Sequence, residues 1–339
     1  MRAAICPAYG APEVVHVADV EPPALRAGQA RVRVEAAALN FPDVLMVAGR
    51  YQIRVPPPFV PGSELAGTVI EVADGVTTVR NGDRVFGSTF VGAFAEEAVV
   101  DAAALRAVPD GVEPALAAAF GVAHRTAWHA LRSVAELQPG QELVVLGAGG
   151  GVGLAAVQLG TLLGATVTAV ASSAEKLAAA SALGAARTID HRSRDLREAL
   201  RELVPAGAHV VLDPVGGDRS EPALRALRRG GRFVTVGFAS GTIPRIPLNL
   251  VLLKSVRIVG FEFLDFVTRA RDEAARNERE LLALFAAGRA FPHLGARFAL
   301  ADAARALRLV ADGRAIGKVV HDVASPRPHE GSREKETIR

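Results

Sequence analysis

The sequence has few thiols, few aromatic side chains and no long apolar run. Its single cysteine, Cys6, excludes an internal disulfide and any zinc site built from several thiolates. Aromatic residues make up only 5% of the chain and form no stripe with basic residues, so nucleic-acid binding is not expected despite the net charge of +3. Charge, glycine or proline interrupts every apolar run before the roughly 18 residues that a membrane span needs. The N-terminal residues also lack the apolar core of a secretion signal, which predicts a cytoplasmic protein without membrane contact.

A glycine-rich turn is the most informative stretch of the chain. The short apolar run Leu143–Leu146 predicts a parallel strand that is buried on both faces. Glycines follow it, and the apolar run 154–163 after them predicts a helix. Glycines allow a pyrophosphate to approach the main chain closely, and the first turn of a helix offers it free amides. Read as Ala148-x-Gly150-x-x-Gly153, the turn is a variant of the dinucleotide-binding fingerprint.

The chain divides into two parts by its periodicity. Residues 1 to about 120 combine short alternating segments with many prolines, which predicts an irregular β-rich domain with little helix. From about residue 126 strand patterns alternate with helix patterns. Six strands separated in this way predict an α/β fold with a doubly wound parallel sheet and a ligand at the carboxyl ends of its strands. The segments up to the last strand, 317–321, are expected to return to the first domain, and the charged tail 325–339 is expected to be disordered.

Nine short motifs together resemble the medium-chain dehydrogenase/reductase superfamily, in particular its zinc-free quinone oxidoreductase branch. The likeness extends from Met1 to about Val323. The motifs, in chain order, are Asn40-Phe-Pro-Asp43, Val60-Pro-Gly-Ser-Glu-Leu-Ala-Gly67, Gly82-Asp-Arg-Val85, Thr126-Ala-Trp-His-Ala-Leu131, the glycine turn, Ala171-Ser-Ser-Ala-Glu-Lys176, Leu183-Gly-Ala185, Asp213-Pro-Val-Gly-Gly217 and Gly317-Lys-Val-Val320. The resemblance implies a GroES-like catalytic domain formed by 1–122 and 262–324, and a Rossmann cofactor domain at 123–261.

The resemblance also bears on metal binding. Zinc-dependent members carry a cysteine where this chain has Asn40 and a histidine where it has Ser63, before the shared Glu64. Cys6 matches neither position, and the structural zinc loop with four cysteines is absent. No metal is therefore expected. Reduction of an electrophilic π-system remains feasible without a Lewis acid, whereas alcohol dehydrogenation loses its usual mechanism.

The end of the second predicted strand indicates which nicotinamide is bound. An NAD-selective site places a carboxylate there, but this chain has Ser172 and Ser173, followed by Lys176. Two hydroxyls and an ammonium can bind a 2′-phosphate that a carboxylate would repel, so the expected cofactor is NADPH. Glu175 is expected to point to solvent. Ser172 alone is also compatible with a helix cap, and Lys176 with an ordinary surface lysine.

The resemblance assigns further residues to the two ligands. It implies cofactor contacts from His191 beside the adenine ribose and Arg314 near the phosphate, and it places Asn40, Asp43 and Tyr51 around the nicotinamide. Asn40 is a neutral donor suited to an oxygen that gains negative charge, Asp43 is expected to anchor its loop, and Tyr51 is a candidate proton donor or a packing residue. The remaining predicted cofactor contacts are Thr126, Gly150, Gly151, Val152, Gly153, Gly237 and Phe238.

These residues predict an enzyme that passes a hydride from NADPH to a quinone or another activated π-system such as an enone. One alternative is an enoyl-thioester reductase that uses Tyr51 as its proton donor. Another, from a different class, is an NADPH-binding sensor or crystallin-like protein without relevant turnover. The segment 256–263 is expected at a sheet edge, where its exposed backbone can pair with a second copy to form a homodimer.

Overall fold

The computed structural model describes residues 1–323. The tail predicted to be disordered, 325–339, lies outside these residues. No helix within the described part of the chain is long and apolar enough to cross a membrane.

The N-terminal third forms mainly β-structure, and the parallel sheet follows it. The N-terminal elements are β1 (Arg2–Ile5), β2 (His16–Asp19), β3 (Gln29–Ala38), α1 (Phe41–Val47), β4 (Glu64–Val72), β5 (Arg84–Ser88), β6 (Glu97–Asp101), β7 (Leu105–Ala107) and α2 (Pro114–His129). The middle elements are β8 (Glu142–Leu146), α3 (Gly151–Leu162), β9 (Thr166–Ala171), α4 (Ala174–Ala182), β10 (Arg187–Asp190), α5 (Leu196–Leu203), β11 (Ala208–Asp213), α6 (Ser220–Arg225), β12 (Leu227–Thr235), α7 (Leu248–Lys254) and β13 (Arg257–Gly260). The last elements are α8 (Phe263–Arg269), α9 (Arg271–Ala286), β14 (Leu294–Ala299), α10 (Ala303–Ala311) and β15 (Lys318–Asp322).

The middle strands form a six-stranded parallel sheet in the order β10-β9-β8-β11-β12-β13. The apolar run that predicted β8 is completely buried, because helices cover both faces of such a sheet. Strands β9 and β10 are added to one side of β8 and the last three strands to the other, so the strand order switches between β8 and β11, and ligands bind at this switch point in doubly wound sheets. The predicted fold class is confirmed, with the glycine turn at the carboxyl end of the central strand.

The last two strands belong to the other sheet. It has the order β14-β15-β3-β4-β5-β7, with β6 also paired to β3. Strand β15 pairs antiparallel with β3, where Val320 lies opposite Ala38. This pairing brings the segment at 317–318 next to Asn40, although about 280 residues separate them along the chain.

Three local features differ from the sequence-based expectations. The stretch after Asn40 is helix α1 rather than a loop, and the carboxylate of Asp43 in its first turn accepts from the Asn40 amide at its start. Helix α2 runs through the predicted domain boundary at 122/123. The predicted edge strand 256–263 ends at Gly260, and helix α8 begins at Phe263. The domain boundaries themselves remain predictions.

Candidate active site

The glycine turn is built for close main-chain approaches. Gly147 has a φ of +61°, which favours glycine. A Cβ on Gly153 would lie only 2.1 Å from the Gly147 carbonyl oxygen, so α3 packs against the turn only with glycine at this position. Gly150 is the N-cap of α3 and supplies no side-chain cap. The amides of the first turn of α3, which include those of Gly151, Val152 and Gly153, are therefore available to an anion.

Lys176 lies over this turn. A Cβ on Gly149 would be 2.5 Å from Lys176 Cβ and Cγ, which shows how closely the lysine side chain covers the turn. Its ammonium donates to the carbonyl oxygen of Gly313 at 2.5 Å and to Ser172 Oγ at 3.5 Å. Burial and the nearby Arg192 lower the pKa of Lys176. The structure thus places Lys176 and Ser172 beside the turn, and Arg192 is a nearby cation that was not predicted from the sequence.

The other predicted residues near the cofactor phosphate take different positions. Ser173 caps α4, where its Oγ accepts from the Lys176 amide at 3.4 Å, so the capping role considered for Ser172 belongs to its neighbour. Glu175 is exposed, as expected. Arg314 follows the carbonyl that Lys176 contacts, but its side chain is 67% exposed and pairs with Asp312. His191 is half-buried after β10, and burial lowers its pKa.

Three further predicted cofactor contacts lie on neighbouring elements. Phe238 follows β12 and lies against the turn after β11, since a Cβ on Gly216 would be 2.9 Å from its ring. The carboxylate of Asp213 shapes that turn by accepting from the amides of Val215 and Gly216. Thr126 is half-buried on α2, the helix that packs against α3 and β4. Gly237 directly precedes Phe238, and the contacts of Gly237 and Thr126 with a cofactor stay predictions.

Asn40 is held in a buried polar cluster. Its main-chain amide donates to Asp43 Oδ2 at 2.7 Å. Its side-chain Nδ2 donates to Glu64 Oε2 at 2.8 Å and to Ser63 Oγ at 3.3 Å, while Oδ1 accepts from Lys318 Nζ at 2.6 Å. Asn40 was predicted to donate a hydrogen bond to the substrate. Of the two Nδ2 hydrogens, the one that makes the long contact with Ser63 is the one that could serve this role.

Lys318 was missed as a site residue. It is 3% exposed, and besides Asn40 its ammonium contacts Glu64 Oε2 at 2.7 Å and the Leu39 carbonyl oxygen at 2.9 Å. Glu64 is completely buried, and its other oxygen accepts from the amide of Val122 on α2. The motif Gly317-Lys-Val-Val320 was the only sequence signal for this lysine, and the motif alone gives it no partner.

Asp43 and Tyr51 complete the predicted catalytic set. Burial raises the pKa of Asp43 to about 7, and Asp43 Oδ1 has no hydrogen-bond partner among residues 1–323. Its hydrogen bond to the Asn40 amide anchors the start of α1. Tyr51 is half-buried beside Phe90, with ring centroids 6.4 Å apart. Burial raises the pKa of Tyr51, so its phenol keeps its proton at neutral pH.

Known proteins resemble this chain over nearly its whole length. Residues 26–110 match the alcohol dehydrogenase GroES-like domain, and residues 151–280 match the family described as zinc-binding dehydrogenase. The chain is 38% identical to quinone oxidoreductase-like protein 2 of Bos taurus over 321 residues, which cover 94% of this chain and 91% of that protein.

Two solved structures are also similar. Escherichia coli quinone oxidoreductase complexed with NADPH has a TM-score of 0.87 and 28% identity, covering 95% of this chain and 100% of that one. A mycobacterial protein complexed with NADPH has a TM-score of 0.88 and 30% identity, with the same coverage.

The residues at the position of the family's catalytic zinc do not fit a metal ion. Zinc binds thiolate, imidazole and carboxylate ligands, whereas Asn40, Ser63 and Lys318 offer an amide, a hydroxyl and an ammonium. The ammonium already bridges Asn40 and Glu64, and it would repel a cation. No group of three or more histidine, cysteine, aspartate or glutamate residues that could hold a metal occurs within 1–323.

Proposed function

We propose that this chain, which belongs to the quinone oxidoreductase branch of the medium-chain dehydrogenase/reductase superfamily, is an NADPH-dependent oxidoreductase that reduces a quinone or another activated π-system without zinc. The observation that carries the proposal is the polar cluster at residues 40, 63 and 64, where the Lys318 ammonium donates to both Asn40 and Glu64. The similarity to a quinone oxidoreductase complexed with NADPH supports the cofactor and the reaction class.

The residues around the glycine turn fit NADPH. A Cβ on Gly150 would meet only the Gly147 carbonyl oxygen, at 3.5 Å, so the main chain at the start of α3 is open to a pyrophosphate. Lys176 lies in the first turn of α4, just after β9, and Glu175, the nearby carboxylate, faces solvent. We therefore assign the 2′-phosphate to Lys176 with Ser172 and Ser173. When bound, NADPH supplies the hydride.

The substrate side requires little acid–base chemistry from the chain. Asn40 holds a carbonyl oxygen of the acceptor through the Nδ2 hydrogen whose contact with Ser63 is long, and this donor stabilises the charge that builds up on the oxygen. In a quinone the reduced oxygen takes its proton from water. In an enone Tyr51 or water supplies the proton, and the raised pKa of Tyr51 keeps this phenol in the protonated form that donates.

Purified protein mixed with NADPH and a series of naphthoquinones and enones tests the proposal. Oxidation of NADPH, followed by the absorbance of the nicotinamide, should occur at the same rate before and after treatment with a chelator. Tight NADPH binding without turnover on any acceptor would refute the catalytic claim and favour the sensor or crystallin-like alternative.

The second candidate function is reduction of an enoyl thioester. The position of Tyr51 beside Phe90 at the predicted substrate side favours it, because a half-buried phenol is suited to protonate the α-carbon after hydride addition. Turnover of crotonyl-type thioesters that exceeds that of quinones, and a large loss in Tyr51→Phe, would support this activity over the first.

We also propose that two copies pair through β13, which is the edge strand of the parallel sheet. Helix α7, directly before it, exposes 77% of Leu248 and 78% of Leu252, and Leu253 and Ile258 add to this apolar surface. Such a surface is typical of an interface. Light scattering at micromolar concentration tests the dimer. From the sequence we also propose a cytoplasmic location, and cell fractionation tests it.

A further inference from the structure

Lys318 connects the two halves of the candidate site. A Cβ on Gly151, the first residue of α3, would lie 3.0 Å from Lys318 Cδ. The residue before the lysine, Gly317, donates its amide to the Gly149 carbonyl oxygen at 2.8 Å. The lysine side chain therefore runs beneath the glycine turn, and its ammonium reaches the start of α1.

The ammonium fixes the orientation of the Asn40 amide. An ammonium can only donate hydrogen bonds, so the side-chain atom of Asn40 at 2.6 Å from Lys318 Nζ must be the oxygen. The nitrogen then faces Glu64 and Ser63. The three hydrogens of the ammonium match its three acceptors, Leu39 O, Asn40 Oδ1 and Glu64 Oε2, which leaves none for substrate.

The ammonium also balances the charge of Glu64. Glu64 is completely buried, and its Oε2 accepts from both the Asn40 amide and Lys318. Without the ammonium, an uncompensated carboxylate would lie one hydrogen bond from Asn40 and oppose any negative charge that develops on an oxygen bound there.

We propose that Lys318 is a positioning residue for hydride transfer, whose ammonium holds the Asn40 amide with its nitrogen as the donor and offsets the charge of Glu64. This inference rests on the proposed reductase function. Lys318 acts through Asn40 and does not touch the substrate or transfer a proton.

Chemical rescue tests the proposal. The variant Lys318→Ala loses the side-chain atoms that propylammonium contains, and 1-propanol is a neutral molecule of similar size. We expect kcat for a naphthoquinone to fall about 10- to 100-fold, as when a residue that orients a ligating side chain is replaced, while the KM for NADPH changes little. Propylammonium should restore much of the lost kcat, and 1-propanol should not.

Two further variants guard against a simple folding defect. Lys318→Met combined with Glu64→Gln removes both partners of the buried ion pair and should still show the loss in kcat with NADPH binding intact. Lys254→Met serves as the matched lysine control, because its ammonium also donates to a main-chain carbonyl, that of Arg225 at 2.6 Å, but away from the site. Its kcat should equal that of the wild type.

The outcomes separate this proposal from the proposed function. Three results would overturn the role of Lys318: a wild-type kcat in Lys318→Ala or in the double variant, a loss of kcat that propylammonium does not relieve, or equal rescue by 1-propanol. In each case the activity of the wild type would still support the reductase function. A wild type without turnover on any acceptor would overturn both.

Discussion

Replacing Lys176 by alanine should weaken NADPH binding and leave NADH binding almost unchanged. In the structure the ammonium lies over the glycine turn and contacts Gly313 O at 2.5 Å and Ser172 Oγ at 3.5 Å. An ammonium has three hydrogens, so these contacts leave one for a phosphate. The variant removes that donor and its charge, and it leaves the main-chain amides of the turn in place for the pyrophosphate that both cofactors share.

The expected magnitude follows from the burial of this lysine. A hydrogen bond to a charged partner contributes about 1.5–3 kcal/mol, and about 1.4 kcal/mol corresponds to a tenfold change in Kd. Because Lys176 is only half-buried, salt screens its attraction for a phosphate and the lower part of that range applies. We therefore expect the Kd of NADPH to rise about 10- to 30-fold, and by less at high salt.

Cofactor fluorescence or calorimetry measures both dissociation constants. Lys254→Ala is the control, because that lysine also donates to a main-chain carbonyl but lies outside the cofactor site. Equal losses of NADPH and NADH affinity in Lys176→Ala would show that the 2′-phosphate binds elsewhere, and the cofactor assignment would be wrong.

Three other changes have expected outcomes. Tyr51→Phe should lower thioester reduction about 10²-fold but hardly affect quinone turnover, whereas Tyr9→Phe, the control at the other tyrosine, should affect neither; steady-state rates on both substrates decide this. The buried His124 and His321 have pKa values lowered to about 4 from 6.5 by burial. Each histidine therefore has no effect on folding free energy above pH 6.5 but costs on the order of 3 kcal/mol as the pH falls towards 4. Denaturant unfolding at several pH values measures this cost. The free energy of unfolding should fall less in acid for His321→Leu than for His16→Leu, which changes an exposed histidine. Leu252→Glu should convert a dimer into a folded monomer in light scattering, and an unchanged mass would exclude α7 from the interface.

Features encoded in a few neighbouring residues could be predicted from the sequence. The apolar run of β8 and the glycines after it predicted the central strand and the cofactor turn, because a buried parallel strand and a close phosphate approach each impose their own residue types. Helix α1 was not predicted, although the Asn40–Asp43 pair at its start is equally local, and the segment was interpreted as a loop.

Contacts between distant segments could not be predicted. Lys318 and Asn40 are 278 residues apart in the sequence, and they meet only because β15 pairs with β3. The partners of the Asn40 amide depend on this pairing, so residue types alone could suggest the donor but not its orientation. The exposed side chains of α7 likewise depend on which face the sheet covers.

The most direct test of the account is the rate of NADPH oxidation by a naphthoquinone, measured with chelator-treated protein and compared with the rate for NADH. We expect turnover that prefers NADPH, survives the chelator and is not increased by added zinc. Turnover that the chelator abolishes and zinc restores, or no turnover with any acceptor, would contradict it.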